Sequence, residues 1–286
     1  MKLDDDEQRV SETNIIECVR ARLSEAHGSQ VNSSQPFVTV TYAQSVDGSI
    51  AHAQGQTLQL SNADSFKLTH QVRAAHDGIM VGINTVMRDN PRLTVRLADG
   101  ENPQPIVVDG RLRIPFDANL LKGPNLRPIV CTSRSACESK EQRLLDVGAR
   151  VVRIDNRPDG LLDMRQLLQC LKRLGIRSVM AEGGATIITS LLTGSLADQY
   201  LVTISPRLIG GLRSIQSQPG TEGIARLHNL NYQWLAGDLI LRGDLDRETI
   251  SNDSKSVSTP SNAADRTGAA GESTHGVSGM GGAKLQ

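Results

Sequence analysis

The chain is poor in aromatic residues, with one Trp, three Tyr and three Phe among 286 positions, and only 38% of it is hydrophobic. That excludes a chain packed into a core from end to end, and the termini are the parts expected outside it. It also has no excess charge of either sign, with 31 Lys and Arg against 31 Asp and Glu. No global field holds nucleic acid or an anionic membrane, so an anionic ligand must be held locally. No stretch approaches the roughly 20 apolar residues of a membrane helix. The acidic start, with Asp4, Asp5 and Asp6, has the wrong charge for a signal peptide, so a soluble cytoplasmic protein is expected. Its four cysteines form no C-x-x-C pair and its six histidines no H-x-E or H-x-x-x-H group. Zinc-ligand spacing is therefore missing, no metal site is predicted, and the thiols read as reduced and structural.

The length suits one large domain or two small ones. Residues 247–286 are mostly Ser, Gly, Ala, Thr, Asn and Asp without an aromatic. Such a composition does not offset its own ordering entropy, and a disordered tail is predicted. Residues 1–35 read as an N-terminal extension. Thr13 to Ala26 carries Ile15, Ile16, Val19 and Leu23 near helical spacing, and the polar stretch Gly28 to Gln35 is a linker ahead of Pro36.

Between them, over residues 36–246, short β-rich runs alternate with amphipathic segments, the pattern of an α/β fold with a largely parallel sheet. Strands are expected over Phe37–Ala43, Ile79–Val81, Pro105–Val108, Pro128–Cys131, Arg150–Ile154, Ser178–Ala181, Tyr200–Ser205 and Asp238–Leu245. Helices are expected over Ser61–Ala75, Asn84–Met87, Ser135–Val147, Met164–Leu174 and Ala185–Leu192, with Gly148 and Gly175 as C-caps.

In open α/β sheets ligands bind beyond the carboxyl ends of strands, so the turns after the strands carry the functional reading. The first, Ala43 to Gly48, is a Ser/Asp/Gly cluster whose simplest role is a tight turn. The second runs from Gly82 through Thr85 to Asp89 and Arg96. Gly82 before a helix start offers backbone N–H groups to an anion, and Arg92 and Arg96, joined by Arg73, could clamp a phosphate or carboxylate; solvated surface arginines are the plainer alternative. The third, Glu182-Gly183-Gly184-Ala185-Thr186, permits close backbone approach to a pyrophosphate, or is simply a tight βα turn. It is not the G-x-G-x-x-G fingerprint, and the chain has no G-x-S-x-G elbow, Walker A sequence or kinase loop. His76 and Asp77 are adjacent and would point to opposite faces of a strand, so they are not read as a catalytic dyad. The residues alone describe an α/β protein suited to a phosphorylated, nucleotide-like ligand.

Taken in order, the segments Ala43–Gly48, Val72-Arg73-Ala74, Gly82–Val86 with Asp89–Arg96, Pro105–Asp109, Glu182–Gly184 and Ser205–Gly211 resemble the reductase domain of riboflavin biosynthesis. The resemblance spans Phe37 to about Leu245. It implies a dihydrofolate-reductase-like three-layer fold, a central mostly parallel sheet flanked by helices. It also implies reduction by NADPH of a ribosylamino-pyrimidine 5′-phosphate to its ribitylamino form. Carried over position by position, Ala43, Thr85, Asp89, Gly184, Ala185, Thr186 and Ile187 would lie against NADPH. Thr57, Arg73, Leu93, Arg96 and Glu182 would contact the substrate, with the two arginines at its phosphate. Gln59 departs from the aromatic of bacterial members, and Asp47 either joins the site or caps its turn. No catalytic acid is assigned.

The zinc-deaminase signature of bifunctional bacterial relatives is absent, so no deamination is expected. The implied substrate is then 2,5-diamino-6-ribosylamino-4(3H)-pyrimidinone 5′-phosphate. The alternatives are the deaminated 5-amino-6-(5-phosphoribosylamino)uracil, a non-catalytic protein binding NADPH or a pyrimidine phosphate, and a pterin reductase. Family members are commonly dimers, and a homodimer is implied.

Overall fold

The computed structural model describes residues 11–29, 33–52, 58–122, 127–216 and 225–246. The predicted tail over 247–286 and the candidate Thr57 lie outside the described residues. The chain begins with β1 (Ser11–Glu12), α1 (Ile15–Ser29), β2 (Phe37–Ser45), β3 (Ser49–Ala51) and α2 (Ala63–Ala75). It continues through β4 (Gly78–Gly82), α3 (Ile83–Asp89), β5 (Gln104–Val108), α4 (Asn119–Lys122), β6 (Ile129–Ser133), α5 (Glu138–Asp146) and β7 (Arg150–Ile154). It closes with α6 (Met164–Arg173), β8 (Ser178–Ala181), α7 (Ala185–Thr193), β9 (Gln199–Ser205), β10 (Leu212–Arg213), β11 (Leu227–Leu235) and β12 (Asp238–Leu245).

Ten strands form one sheet in the order β1-β11-β12-β9-β2-β8-β4-β5-β6-β7, and β3 pairs with β10 beside it. From β9 to β7 every neighbouring pair is parallel. Their carboxyl ends therefore share one edge of the sheet, where the α/β rule puts a ligand. Alternation along the strands sorts side chains between two layers. Val38, Val40, Met80, Ile106, Val179 and Ala181 pack against α6 and α7. On the other face Ile79, Val81 and Val107 meet α3, α4 and α5, while Phe37 and Met180 meet α1 and α2. The result is the predicted three-layer α/β arrangement, with a mostly parallel sheet.

Each strand expected from the sequence is present, and Gly148 and Gly175 take φ of +84° and +87° just past α5 and α6. Five short or polar elements were not anticipated. β1, β3 and β10 have two or three residues, and α4 has four, too few for a periodicity. β11, with its Asn and His residues and an irregular register between His228 and Asn231, hides its strand character because it is half exposed. The Ala236-Gly237 turn into β12 has φ of +47° and +96°, the hairpin geometry that glycine favours.

Helix α1 is an integral part of this packing. Ile15, Val19, Leu23 and Ala26 form a buried stripe over Phe37, Leu68 and Val72, each large aliphatic contributing about 1.5–3 kcal/mol by burial. The Ile15 N–H donates to Gln233 Oε1 at 3.0 Å, and Arg22 Nε reaches Asp244 Oδ1 at 3.3 Å. No helix among the described residues is long and apolar enough to cross a membrane.

Candidate functional site

Helix α2 starts at Asn62, whose side chain accepts from the Ser65 N–H at 2.9 Å and donates to the Leu235 carbonyl at 2.6 Å. This cap ties the helix to the β11–β12 hairpin and sets the direction in which its last turn delivers Arg73. Arg73 is 7% exposed. Its Nε donates to Glu182 Oε1 at 2.6 Å and its Nη2 to Glu182 Oε2 at 2.7 Å, while Nη1 donates to the Thr94 carbonyl at 3.2 Å. Glu182 occupies the first position past β8. Burial opposes the charge on Arg73, but the Glu182 carboxylate and its hydrogen bonds outweigh that and raise its pKa. Arg73 therefore spends its best-directed donors on Glu182, an arrangement the sequence-level phosphate clamp did not include.

Arg96 lies on the loop after Thr94, and its Nη1 donates to Thr94 Oγ1 at 2.8 Å. Burial and the positive charges of Arg73 and Arg92 lower its pKa, with Glu182 opposing. The Arg73 and Arg96 guanidinium groups thus both act on the Glu182 carboxylate, with Arg92 adding its charge beside Arg96, and an incoming anion would relieve their repulsion. A further member is His70, which sequence reasoning missed. It sits one helical turn before Arg73 on α2, its Nδ1 accepts the Arg96 backbone N–H at 3.0 Å, and Phe66 meets its ring edge-on. Burial, then Arg73 and Arg96, press its pKa down to about 4. A neutral imidazole with an unprotonated Nδ1 is required by that bond.

The two glycine turns are brought together by Ile187. A Cβ on Gly82 would meet Ile187 Cδ1 at 3.3 Å, and one on Gly183 would meet Ile187 Cβ at 2.8 Å. Gly82 and Gly184 are the N-caps of α3 and α7, and neither helix start has a side-chain cap. A Cβ at Gly184 would meet nothing within 4 Å. The uncapped first turn of the nine-residue α7 thus opens onto free space, which fits a dinucleotide's phosphates. Of the remaining cofactor candidates, Ala43 is half-buried near the end of β2, Thr85 is half-buried in the first turn of α3, and Thr186 is exposed at the start of α7. Ala185 and Ile187 are buried. Asp89, at the end of α3, pairs with Arg88 at 3.2 Å.

Leu93 has φ of +53° and is 2% exposed, so its side chain belongs to the core and presents no open surface. Thr94, next along, supplies the carbonyl to Arg73 and the hydroxyl to Arg96. A leucine in the left-handed region costs about 1–3 kcal/mol and persists where its surroundings fix it.

The Asp47 carboxylate accepts from the Ser45 and Ser49 hydroxyls and from the Ile209 and Gly210 N–H groups at 3.0 and 2.7 Å. The Ser45 hydroxyl first, then Gly210, Ile209 and Ser49, hold its pKa far below the usual carboxylate range. It is a clasp between the turn after β2 and the loop after β9, and it carries no proton to give. Within that clasp, a Cβ on Gly211 would lie 1.9 Å from the Ala51 carbonyl oxygen, so only glycine fits. Gln59 is exposed, and its carbonyl accepts from Arg207 Nη1 at 3.0 Å. His76 is buried, bonded to the Val72 carbonyl and the Thr39 hydroxyl at 2.8 Å each, and serves no dyad with Asp77.

Residues 36–241 match the RibD C-terminal domain. A protein of Aquifex aeolicus named 2,5-diamino-6-ribosylamino-4(3H)-pyrimidinone 5′-phosphate reductase is 34% identical over 200 residues, covering 68% of this chain and 88% of that protein. A protein of Archaeoglobus fulgidus with the same name is 37% identical over 187 residues, covering 62% and 83%. Among solved structures, the riboflavin biosynthesis reductase Rib7 of Saccharomyces cerevisiae is 29% identical, with a TM-score of 0.66 over 82% of this chain and 100% of that one. Acinetobacter baumannii RibD, at 24% identity and a TM-score of 0.67 over 79% and 62%, shares the fold.

Proposed function

Because the chain belongs to the RibD C-terminal domain family, we propose that it is a cytoplasmic, homodimeric reductase that uses NADPH to convert 2,5-diamino-6-ribosylamino-4(3H)-pyrimidinone 5′-phosphate to its ribitylamino form. The matching relatives are named for that substrate. The observation that carries the reading is one juxtaposition. The uncapped, open start of α7 follows two residues after Glu182, and Glu182 is bound to the Arg73–Thr94–Arg96 cluster.

The substrate is an N-glycoside that opens to an imine, whose C1′ accepts a hydride while its nitrogen gains a proton. NADPH, when bound, supplies that hydride. The protein's share is placement. The N–H groups of Ala185 and Thr186 hold the cofactor's phosphates, with Ala43, Thr85, Asp89 and Ile187 shaping the rest of that side. Arg96, with Arg73 behind it, neutralises the substrate phosphate, and Glu182, fixed by Arg73, accepts from the substrate's polar groups. Asp47 is excluded as the proton donor because its carboxylate is ionised and fully bonded.

The test offers purified protein the diamino-pyrimidinone and amino-uracil ribosylamino phosphates side by side, with NADPH consumption followed and products weighed by mass spectrometry. Faster turnover of the diamino-pyrimidinone with a gain of two hydrogens is the expected result. Preference for the uracil would reassign the substrate, and turnover of neither would end the reading.

A further inference from the structure

A cleft of about 490 Å³ lies between α1, α2 and the loop after Thr94. Arg20 of α1, Lys67 and Gln71 of α2, and Arg96, Leu97 and Asp99 of the loop line it. Three cations from three different elements therefore face one carboxylate. None of the three has a carboxylate within ion-pair distance among the described residues, although ion pairs are frequent elsewhere in this chain. The excess of two positive charges matches a phosphomonoester, which carries about −1.5 to −2 at neutral pH. Gln71 adds an amide suited to a sugar hydroxyl. One wall, α1, precedes the region that matches the family, which begins at residue 36. α1 is nevertheless held rigidly by its buried stripe and by Arg22.

We propose that this cleft is a phosphomonoester site in which Arg20 and Lys67 act with Arg96, so that the N-terminal helix is part of the ligand-binding apparatus. The inference rests on the proposed function only for the carrier of the phosphate, the pyrimidine substrate itself. A free sugar phosphate would present the same chemistry.

The test is calorimetric titration of the full chain with ribose 5-phosphate and with inorganic phosphate, free of turnover. Arg20 and Lys67 are exposed, so their variants should fold, and circular dichroism and melting temperature check this. Arg20→Ala and Lys67→Ala are each expected to weaken ribose 5-phosphate binding by about 5- to 20-fold, with Arg20→Lys retaining most of the affinity. Folded variants with wild-type affinity, or a wild-type chain that binds neither probe, would overturn the proposal. Steady-state kinetics separate the sources. A raised KM for the pyrimidine phosphate with no matching fall in kcat identifies the substrate's own phosphate, and an unmoved KM with lost ribose 5-phosphate binding identifies a free one. If neither pyrimidine is reduced but Arg20→Ala still loses ribose 5-phosphate, the site stands and the proposed function fails. Normal turnover with unaltered phosphate affinity in both variants gives the reverse.

Discussion

Arg73 and Glu182, 109 residues apart, meet through two parallel hydrogen bonds of 2.6 and 2.7 Å at the carboxyl end of the central sheet. The pair joins the last turn of α2 to the first residue after β8, and it fixes the orientation of the acid that faces Arg73 and Arg96. Neither partner is exchangeable. A lysine in place of Arg73 would lose the forked geometry, and the loss of Glu182 would leave a buried cation beside Arg96.

Glu182→Ala is therefore expected to destabilise the protein as well as disable it. We expect about 2–3 kcal/mol, below the ~3–5 of a fully buried pair because the Glu182 side chain is 20% exposed. The double variant Arg73→Met with Glu182→Leu should recover part of that stability while remaining inactive. Urea denaturation of the three proteins checks both points, and a double variant less stable than the single would show that the pair is not what holds α2 to β8.

Arg96→Ala should act on binding. The residue is exposed and its guanidinium is bonded only to the Thr94 hydroxyl among its described contacts, so stability should change little. Substrate KM should rise by the equivalent of about 1.5–3 kcal/mol if it holds the phosphate. A KM equal to wild type, measured with the preferred pyrimidine, would remove Arg96 from the site.

Legibility in the sequence followed the range of the physics. β2, β4, β5 and β8 are short, largely apolar runs between glycine-rich or polar segments, and such runs are local signals. Gly148 and Gly175 could be placed because a helix end needs a positive φ. The stripe of α1 was readable too, but a stripe does not say what covers it, and Leu68 and Val72 are distant in sequence. The Arg73–Glu182 pair was beyond reach for the same reason, and both residues were expected to face the ligand instead. His70 could have been found, since it shares a helix face with Phe66 and Arg73 at spacings of four and three. The left-handed backbone at Leu93 carries no sequence signal, because leucine rarely adopts it.

Gly184→Val separates cofactor placement from folding. A Cβ there meets nothing within 4 Å and the residue's φ is −74°, so the variant should fold and melt near wild type. If phosphates approach the start of α7, a branched side chain fills that approach, and NADPH affinity measured by fluorescence titration should fall by about tenfold or more, the equivalent of ~1.4 kcal/mol. Wild-type affinity in the folded variant would move the cofactor elsewhere.

Together with His70, whose pKa is also lowered to about 4, His76 sets the pH dependence of stability. Its ring is enclosed, donating from Nδ1 to the Val72 carbonyl and accepting at Nε2 from the Thr39 hydroxyl, and burial lowers its pKa to about 4. In the unfolded chain the same imidazole titrates near 6.5. Between those values the unfolded state binds a proton that the folded state refuses, so stability is complete above about pH 6.5 and falls as the pH drops toward 4. At 1.36 kcal/mol per unit the loss from this group approaches ~3 kcal/mol. Aspartates with lowered pKa values, such as Asp77, lose their contribution only at more acidic pH and leave this window largely to histidine. Urea midpoints measured from pH 7.5 to 4.5 should slope downward in the wild type. The slope should be smaller in His76→Gln, which keeps a buried polar group but has nothing to protonate. Parallel slopes in the two proteins would mean that the buried imidazole is not the source.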